Sequence, residues 1–429
     1  MIYVVLGKYF RSFFIFLSSF ILVKYLSVDH FAEYVFFNTF LLFLIALLIG
    51  PSPTLFTKYF SNHDYNFRDI FRIGIKYWFS ISLIGVLIFY FFVNLTDNPI
   101  SSWDSRLVLL GSVIFIINTA SNLSDTIFRA NKSFKISEGA NILESIVWFS
   151  GLAALFYYNF SAVKYIIALY LLRIFSILIV HLFNLKSQAF NSVSNPKKIN
   201  FLNDYSSLYL YRFFGFIIMK SNILMLGFIS ASSQVAYYGF AFIFYQIITI
   251  LPAAISWYLL SRTNDKSFFN GKNYIKISSI TFFICVIQCV LFYIFAPQLA
   301  YFIKGDEYAG SINVIRILTI GSLFQAPQFL LSAFWIFKEK YKSLSNILTT
   351  IGLFNIALNF ILIPLYGAIG ASITLLLSYL IITLIQLIML YTIKDKNFTI
   401  FSLFSPKFSY LIDTYHLIYN ELKTKNNNT

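Results

Sequence analysis

LYLYRFFGFIIMKSNILMLGFI, Leu208–Ile229, decides the class of this chain. It is long enough to cross a membrane and apolar nearly throughout, yet Arg212 stands near one end and Lys220 near the middle. A hydrocarbon core takes about 20 apolar residues to span, and a charge at its centre costs roughly 2.5–3.5 kcal/mol on the most lenient insertion scale. Lys220 therefore needs water or a partner, and the expectation is a helix that lines a hydrated cavity.

The rest of the chain has the same character. Of its 429 residues, 59% are hydrophobic and 11% charged, against roughly 25% charged in a soluble domain. This composition reads as an all-α integral membrane protein. The 52 Phe and 30 Tyr fit compositional bias and interfacial belts, with no aromatic cage implied. The net charge of +15 resides in short loops between apolar runs, so it reads as topology and not as nucleic-acid binding. Both Cys lie in one apolar run, which excludes a disulfide framework. The first apolar run has no small-residue cleavage site after it and is read as a retained span.

Apolar runs of spanning length occur at Val4–Val23, Tyr34–Phe56, Phe71–Val93, Leu107–Phe128, Ile136–Phe156 and Val163–Leu185. After a polar stretch come Leu208–Ile229, Val235–Leu260, Ile277–Ile303, Ile317–Phe337, Leu344–Ile363 and Ala368–Thr392. The expected organisation is twelve transmembrane helices: an N-terminal six-helix lobe (1–185), a cytoplasmic linker (186–207), a C-terminal six-helix lobe (208–392) and a cytoplasmic tail (393–429). Lys and Arg concentrate in alternate loops, among them Arg129, Lys132 and Lys135, then Lys197 and Lys198, then Lys338, Lys340 and Lys342. The positive-inside rule puts those loops and both termini in the cytoplasm.

The halves echo each other. Lys8-Tyr9-Phe10 matches Arg212-Phe213-Phe214, Phe31-Ala32-Glu33-Tyr34 matches Val235-Ala236-Tyr237-Tyr238, and Arg106 with Gly111-Ser112 matches Arg316 with Gly321-Ser322. Ser133-Phe134-Lys135 then matches Lys340-Tyr341-Lys342, so the order is kept throughout. Halves with an even number of spans share one orientation and are related by an axis along the membrane normal, which leaves a cleft between two lobes. The outer loops are short, the longest running from Asn94 to Arg106. They leave no room for the catalytic domain of a membrane glycosyltransferase or polymerase, and the chain is read as a non-enzyme. Beyond Pro406, Phe408, Leu411, Ile412, Tyr415, Ile418, Tyr419 and Leu422 share one helical face, as an interfacial helix or a helix packed on the bundle would.

Asn355–Tyr379, NIALNFILIPLYGAIGASITLLLSY, carries a family resemblance. Two Asn one turn apart (Asn355, Asn359), Ile363-Pro364 at a helix end, then Gly367 and Gly370-Ala371 resemble the penultimate-helix signature of the polysaccharide exporters. These are a branch of the multidrug/oligosaccharidyl-lipid/polysaccharide superfamily. Phe31-Ala32-Glu33-Tyr34 stands where relatives often have Phe-Gly-x-Tyr, whereas Asn222 stands where many have Asp, so a carboxylate role there is not carried over. The resemblance implies a flippase of the bacterial inner membrane. Its cargo would be an undecaprenyl-diphosphate-linked oligosaccharide moved to the outer leaflet, for O-antigen, capsule or another surface polysaccharide. Membrane lipids, a polysaccharide polymerase and chain-length machinery are the partners it implies.

A diphosphate stripped of water needs charge-assisted hydrogen bonds, which makes Lys220, Arg173, Arg212 and Arg11 the candidate cargo ligands. For Arg173 a structural ion pair with Glu144 on the preceding span stands beside that reading. For Arg11 and Arg212 snorkelling to the cytoplasmic surface stands beside an inner-mouth role. Lys220 has no acidic residue at similar depth on adjoining spans, and its first-half counterpart is Phe16. Glu144 and Asp125 are the candidates for ion coupling, with pairing of Asp125 and Glu138 to Arg129 and Lys135 as the alternative. Cys285 and Cys289 read as packing residues, no metal-ligand spacing appears, and no cofactor is implied. A multidrug antiporter of the same fold is disfavoured by the excess of cavity cations. A lipid II flippase would be expected to have fourteen spans.

Overall fold

In lipid no backbone N–H or C=O finds water, so a chain of apolar runs has to satisfy its backbone locally, as helix. The computed structural model describes residues 2–50, 56, 67–130, 133–185, 201–261 and 272–392. These form α1 (Ile2–Tyr25), α2 (Val28–Leu48), α3 (Phe67–Leu95), α4 (Ser105–Ala130), α5 (Phe134–Tyr157) and α6 (Val163–Leu185). There follow α7 (Phe201–Ile229), α8 (Ser232–Ser261), α9 (Lys272–Lys304), a 3-10 turn (Gly305–Tyr308), α10 (Ser311–Phe337) and α11 (Tyr341–Thr392). Among the described residues ten helices, α2 to α11, are long and apolar enough to cross a membrane, so this is a multi-pass membrane protein.

The expected spans fall on these helices, and their ends differ where capping decides. The second helix begins at Val28 and not at Tyr34, because the Ser27 side chain caps it by accepting from the His30 amide at 3.2 Å. It stops before Gly50, whose φ is 47°, and so falls short of the expected Phe56. The stretch expected as a linker to residue 207 is already helical from Phe201. Residues 186–200 and the tail 393–429, with its expected interfacial helix, lie outside the described residues.

Run straight, the 52 residues of α11 would reach about 78 Å, more than twice a hydrocarbon core of about 30 Å. Gly367 breaks the run, with φ 55° and ψ −129°, a conformation only glycine adopts without strain. The two arms then fold back on one another. Asn355 Nδ2 donates to Ser378 Oγ at 2.9 Å, and a Cβ built on Gly370 would lie 2.1 Å from the Leu362 carbonyl oxygen. Gly370→Ala is therefore expected to force the arms apart and to destabilise by about 1–3 kcal/mol or more. Thermal unfolding checks this, with Gly139→Ala, whose methyl would meet nothing within 4 Å, as the neutral control.

Among the described residues, α1 packs on α5, α6 on α4 and α5, and α3 on α4. In the later chain α11 packs on α7 and α10, and α10 on α8 and α9. The helix α2 is the exception, since it packs chiefly on α7 and α8. Its N-terminal half is held by aromatic contacts: Phe36 lies 5.7 Å from Phe228 of α7, and Phe31 lies 6.4 Å from Tyr308 of the 3-10 turn, centroid to centroid. With α2 displaced onto the later helices, a space opens between it, α1 and the group α4–α6.

Candidate functional site

That space is a cavity of about 520 Å3, lined by α1, α2 and α4 through α8. The α4 residues facing it run from Asn118 to Arg129, the half of that helix that ends at Ala130. It thus extends towards the side that the loop charges assign to the cytoplasm. Among the described residues six formally charged side chains line it: Arg11, Arg129, Arg173 and Lys220 against Asp125 and Glu144. Four cations facing two carboxylates leave a formal excess of two positive charges.

Glu144 on α5 is the hub of one cluster. Arg173 Nε of α6 donates to its Oε1, and Arg11 of α1 reaches its Oε2 at 3.1 Å. The guanidinium of Arg173 lies 5.1 Å from the ring centroids of both Trp148 and Tyr170. Tyr170 in turn donates its hydroxyl to Asn38 Oδ1 of α2 at 2.9 Å. One carboxylate thus serves two guanidiniums from different helices, and the cluster as a whole stays cationic. The Glu144 side chain is 3% exposed and that of Arg11 36%, so the uncompensated charge sits on the cavity side.

Lys220 of α7 faces the same cavity at 6% exposure. Its ammonium lies 3.9 Å from the ring centroid of Phe242 on α8, a cation–π contact of a kind that contributes up to about 2 kcal/mol when desolvated. Among the described residues it forms no ion pair with a carboxylate. The aromatic face offers the ammonium a partner that carries no formal negative charge.

The remaining sequence candidates divide. Asp125 lines the cavity but is engaged: it pairs with Arg129 at 2.6 Å and accepts from Ser137 Oγ at 2.5 Å. Arg129 also reaches Glu138 at 3.2 Å. Arg212 is not among the cavity's lining residues, and its side chain reaches the surface. Asn222 lies elsewhere, in a buried amide network joining α7, α8 and α11. Its Nδ2 donates to Tyr238 OH and to the Ala371 carbonyl, both at 3.0 Å, and its Oδ1 accepts from Asn359 Nδ2 at 2.6 Å. That network involves Asn355 and Ser221 as well and carries no formal charge. Cys285 and Cys289 are buried free thiols. No group of three or more potential metal ligands occurs among the described residues.

The sequence reading passed over Tyr170, Trp148, Phe242 and the amides Asn38, Asn118, Asn122, Asn141 and Gln246, all of which line the cavity. For the amides a signal was present: a side-chain amide in the middle of an apolar span is costly against lipid and so marks an interior face. For the aromatics there was none in a chain so rich in them.

No protein-family model and no curated protein matches the sequence. Solved structures do share its architecture. Lipid II flippase MurJ in an inward closed conformation aligns with a TM-score of 0.62 at 16% identity, over 99% of this chain and 99% of that one. An inward-facing multidrug resistance MATE transporter of the MOP superfamily aligns at 0.67 and 14%, over 90% and 95%. A MOP-superfamily transporter from Pyrococcus furiosus, described as having a binding pocket of reverse polarity that suggests a different function, aligns at 0.65 and 14%, over 91% and 93%. At such identities the likeness is one of fold. The chain shares the fold of these solved transporters.

Proposed function

We propose that the protein is a flippase that carries an undecaprenyl-diphosphate-linked oligosaccharide from the cytoplasmic to the outer leaflet by alternating access. The observation that carries this reading is the cavity's formal excess of two positive charges: Arg11 and Arg173 share the single carboxylate of Glu144, and Lys220, lining the same cavity, pairs with no carboxylate among the described residues. A diphosphate diester bears two negative charges and only hydrogen-bond acceptors at its phosphates, the complement of that lining. At about 520 Å3 the cavity has the size of small-ligand sites, about 300–1,000 Å3. It takes a polar head group and leaves the polyprenyl tail in lipid. In this reading the two arms of α11 cross the membrane separately, which makes twelve passes in two six-helix lobes, with both termini in the cytoplasm of a bacterial inner membrane.

Multidrug transport is the second reading, because the same fold serves it in the MATE proteins. Glu144 is the cavity carboxylate that a lipophilic cation would seek, but both its oxygens are taken by arginines. The alignment to MurJ runs over 99% of each chain, so the expected difference of twelve spans against fourteen does not set this chain apart from that lipid II flippase. The test is deletion of the gene in its host. Lipid-linked oligosaccharide is expected to accumulate on the inner leaflet while surface polysaccharide is lost. Unchanged polysaccharide with increased sensitivity to lipophilic cations would replace this reading with the multidrug one.

A further inference from the structure

We infer that the cavity carries a second recognition surface, made of the amides Asn38, Asn118, Asn122, Asn141 and Gln246, that binds the neutral, hydroxyl-bearing sugar next to the diphosphate. This rests on the flippase reading of the same cavity and goes beyond it by assigning the glycan contacts. The five amides come from α2, α4, α5 and α8 and all face the cavity. They lie within helices that cross a membrane, where an amide against lipid is costly and an amide against a polar guest is not.

Their free valences say what kind of guest. Asn122 Nδ2 donates to the carbonyl and to Oδ1 of Asn118, at 2.9 and 3.0 Å. That uses one end of each side chain and leaves Asn122 Oδ1 as an acceptor and Asn118 Nδ2 as a donor. Asn38 Oδ1 is occupied by Tyr170, so its Nδ2 is left to donate. Asn141 Nδ2 is occupied by the Ser137 carbonyl at 2.8 Å, so its Oδ1 is left to accept. Gln246 is exposed within the cavity lining and has neither end taken among the described residues.

The surface therefore offers donors and acceptors together. A phosphate only accepts and a quaternary cation does neither, whereas each hydroxyl both donates and accepts. A polyol is the guest that uses every one of these groups. The amides also adjoin the charged cluster: Asn38 is held by the Tyr170 whose ring flanks Arg173, and Asn141 lies one turn from Glu144 on α5. The sugar they meet is accordingly the one attached to the diphosphate.

The experiment uses the full chain in nanodiscs and three probes. They are undecaprenyl diphosphate alone, the same lipid carrying one hexose, and the same lipid carrying one N-acetylhexosamine. For the wild type at least one sugar is expected to tighten binding about tenfold, the effect of one or two uncharged hydrogen bonds. Asn118→Leu and Gln246→Leu are each expected to abolish that gain, while the Kd for the bare lipid moves less than twofold. Bare-lipid binding also reports folding. Should Asn118→Leu not accumulate, Gln246→Ala carries the test, since that side chain has no hydrogen bond to lose among the described residues. The proposal is overturned if neither sugar tightens binding, if the variants keep the gain, or if they lose bare and glycosylated lipid in parallel. A failure of the flippase reading looks different: the wild type would not bind bare undecaprenyl diphosphate, or would bind it equally well as Lys220→Met.

Discussion

Replacing Glu144 by Gln is expected to remove most of the folded protein from the membrane. Glu144 is 2% exposed and is the counter-ion of both Arg11 and Arg173. Without it two guanidiniums face one another with nothing between them. Breaking a buried pair by removing one partner costs about 3–5 kcal/mol, because it strands a charge in a low-dielectric site. That is a large part of the 5–15 kcal/mol typical of whole folded proteins, and two stranded charges put Glu144→Gln at the upper end of the range. Arg173→Gln should be milder, since Arg11 still neutralises Glu144. The double variant Glu144→Gln with Arg173→Gln should be more stable than Glu144→Gln alone, because only Arg11, the more exposed of the two arginines, stays unpaired. Protein yield and thermal unfolding midpoint measure all three. Equal stability of Glu144→Gln and wild type would show that the cluster is not what holds α1, α5 and α6 together.

Lys220→Met should behave in the opposite way, with structure kept and transport lost. Its ammonium is bonded to no carboxylate among the described residues and is held by the face of Phe242 at 3.9 Å. The substitution removes a buried charge and leaves an apolar side chain of similar length, so the variant should insert and fold at least as well as wild type. If the ammonium is held for an anionic head group, transport should fall at least tenfold and lipid-linked oligosaccharide should accumulate. Lys220→Arg should retain partial activity, because charge persists while the planar guanidinium does not reproduce a point-like ammonium over the ring. Surface polysaccharide measured against protein level decides the matter. Wild-type transport by Lys220→Met would mean that Lys220 is not a cargo ligand.

The contrast between these two residues is one the sequence half showed. Both stand in the middle of apolar runs, and that alone marks them as exceptional. For Lys220 the absence of an acid at similar depth on the neighbouring spans anticipated an unpaired ammonium, but not Phe242, one Phe among 52. For Arg173, proximity in depth to Glu144 raised the ion pair as an alternative, and the structure forms it. Arg11, one to two turns from the expected cytoplasmic face, reads from sequence as a snorkelling side chain, and only the packing of α1 on α5 brings it to Glu144. Arg212, which stands on the equivalent span of the other half, shows the limit of that logic, since it is not among the cavity's lining.

What the sequence by itself determined is the class of molecule and the position of its helices. An apolar run of about 20 residues has one stable form in lipid, and the cost of a charge within it is a local property of that run. Gly367 permits the positive φ at its turn because it lacks a Cβ, but the surrounding fold selects that conformation. What only the tertiary structure decided is which side chains face each other. The displacement of α2 onto α7 and α8 opens the cavity, and the convergence of Arg11, Glu144 and Arg173 comes from three separate helices. The gathering of five amides into one cavity depends on how four helices are rotated about their axes. Helix rotation and crossing are set by many small packing contacts between residues distant in the chain, and no single stretch of sequence records them.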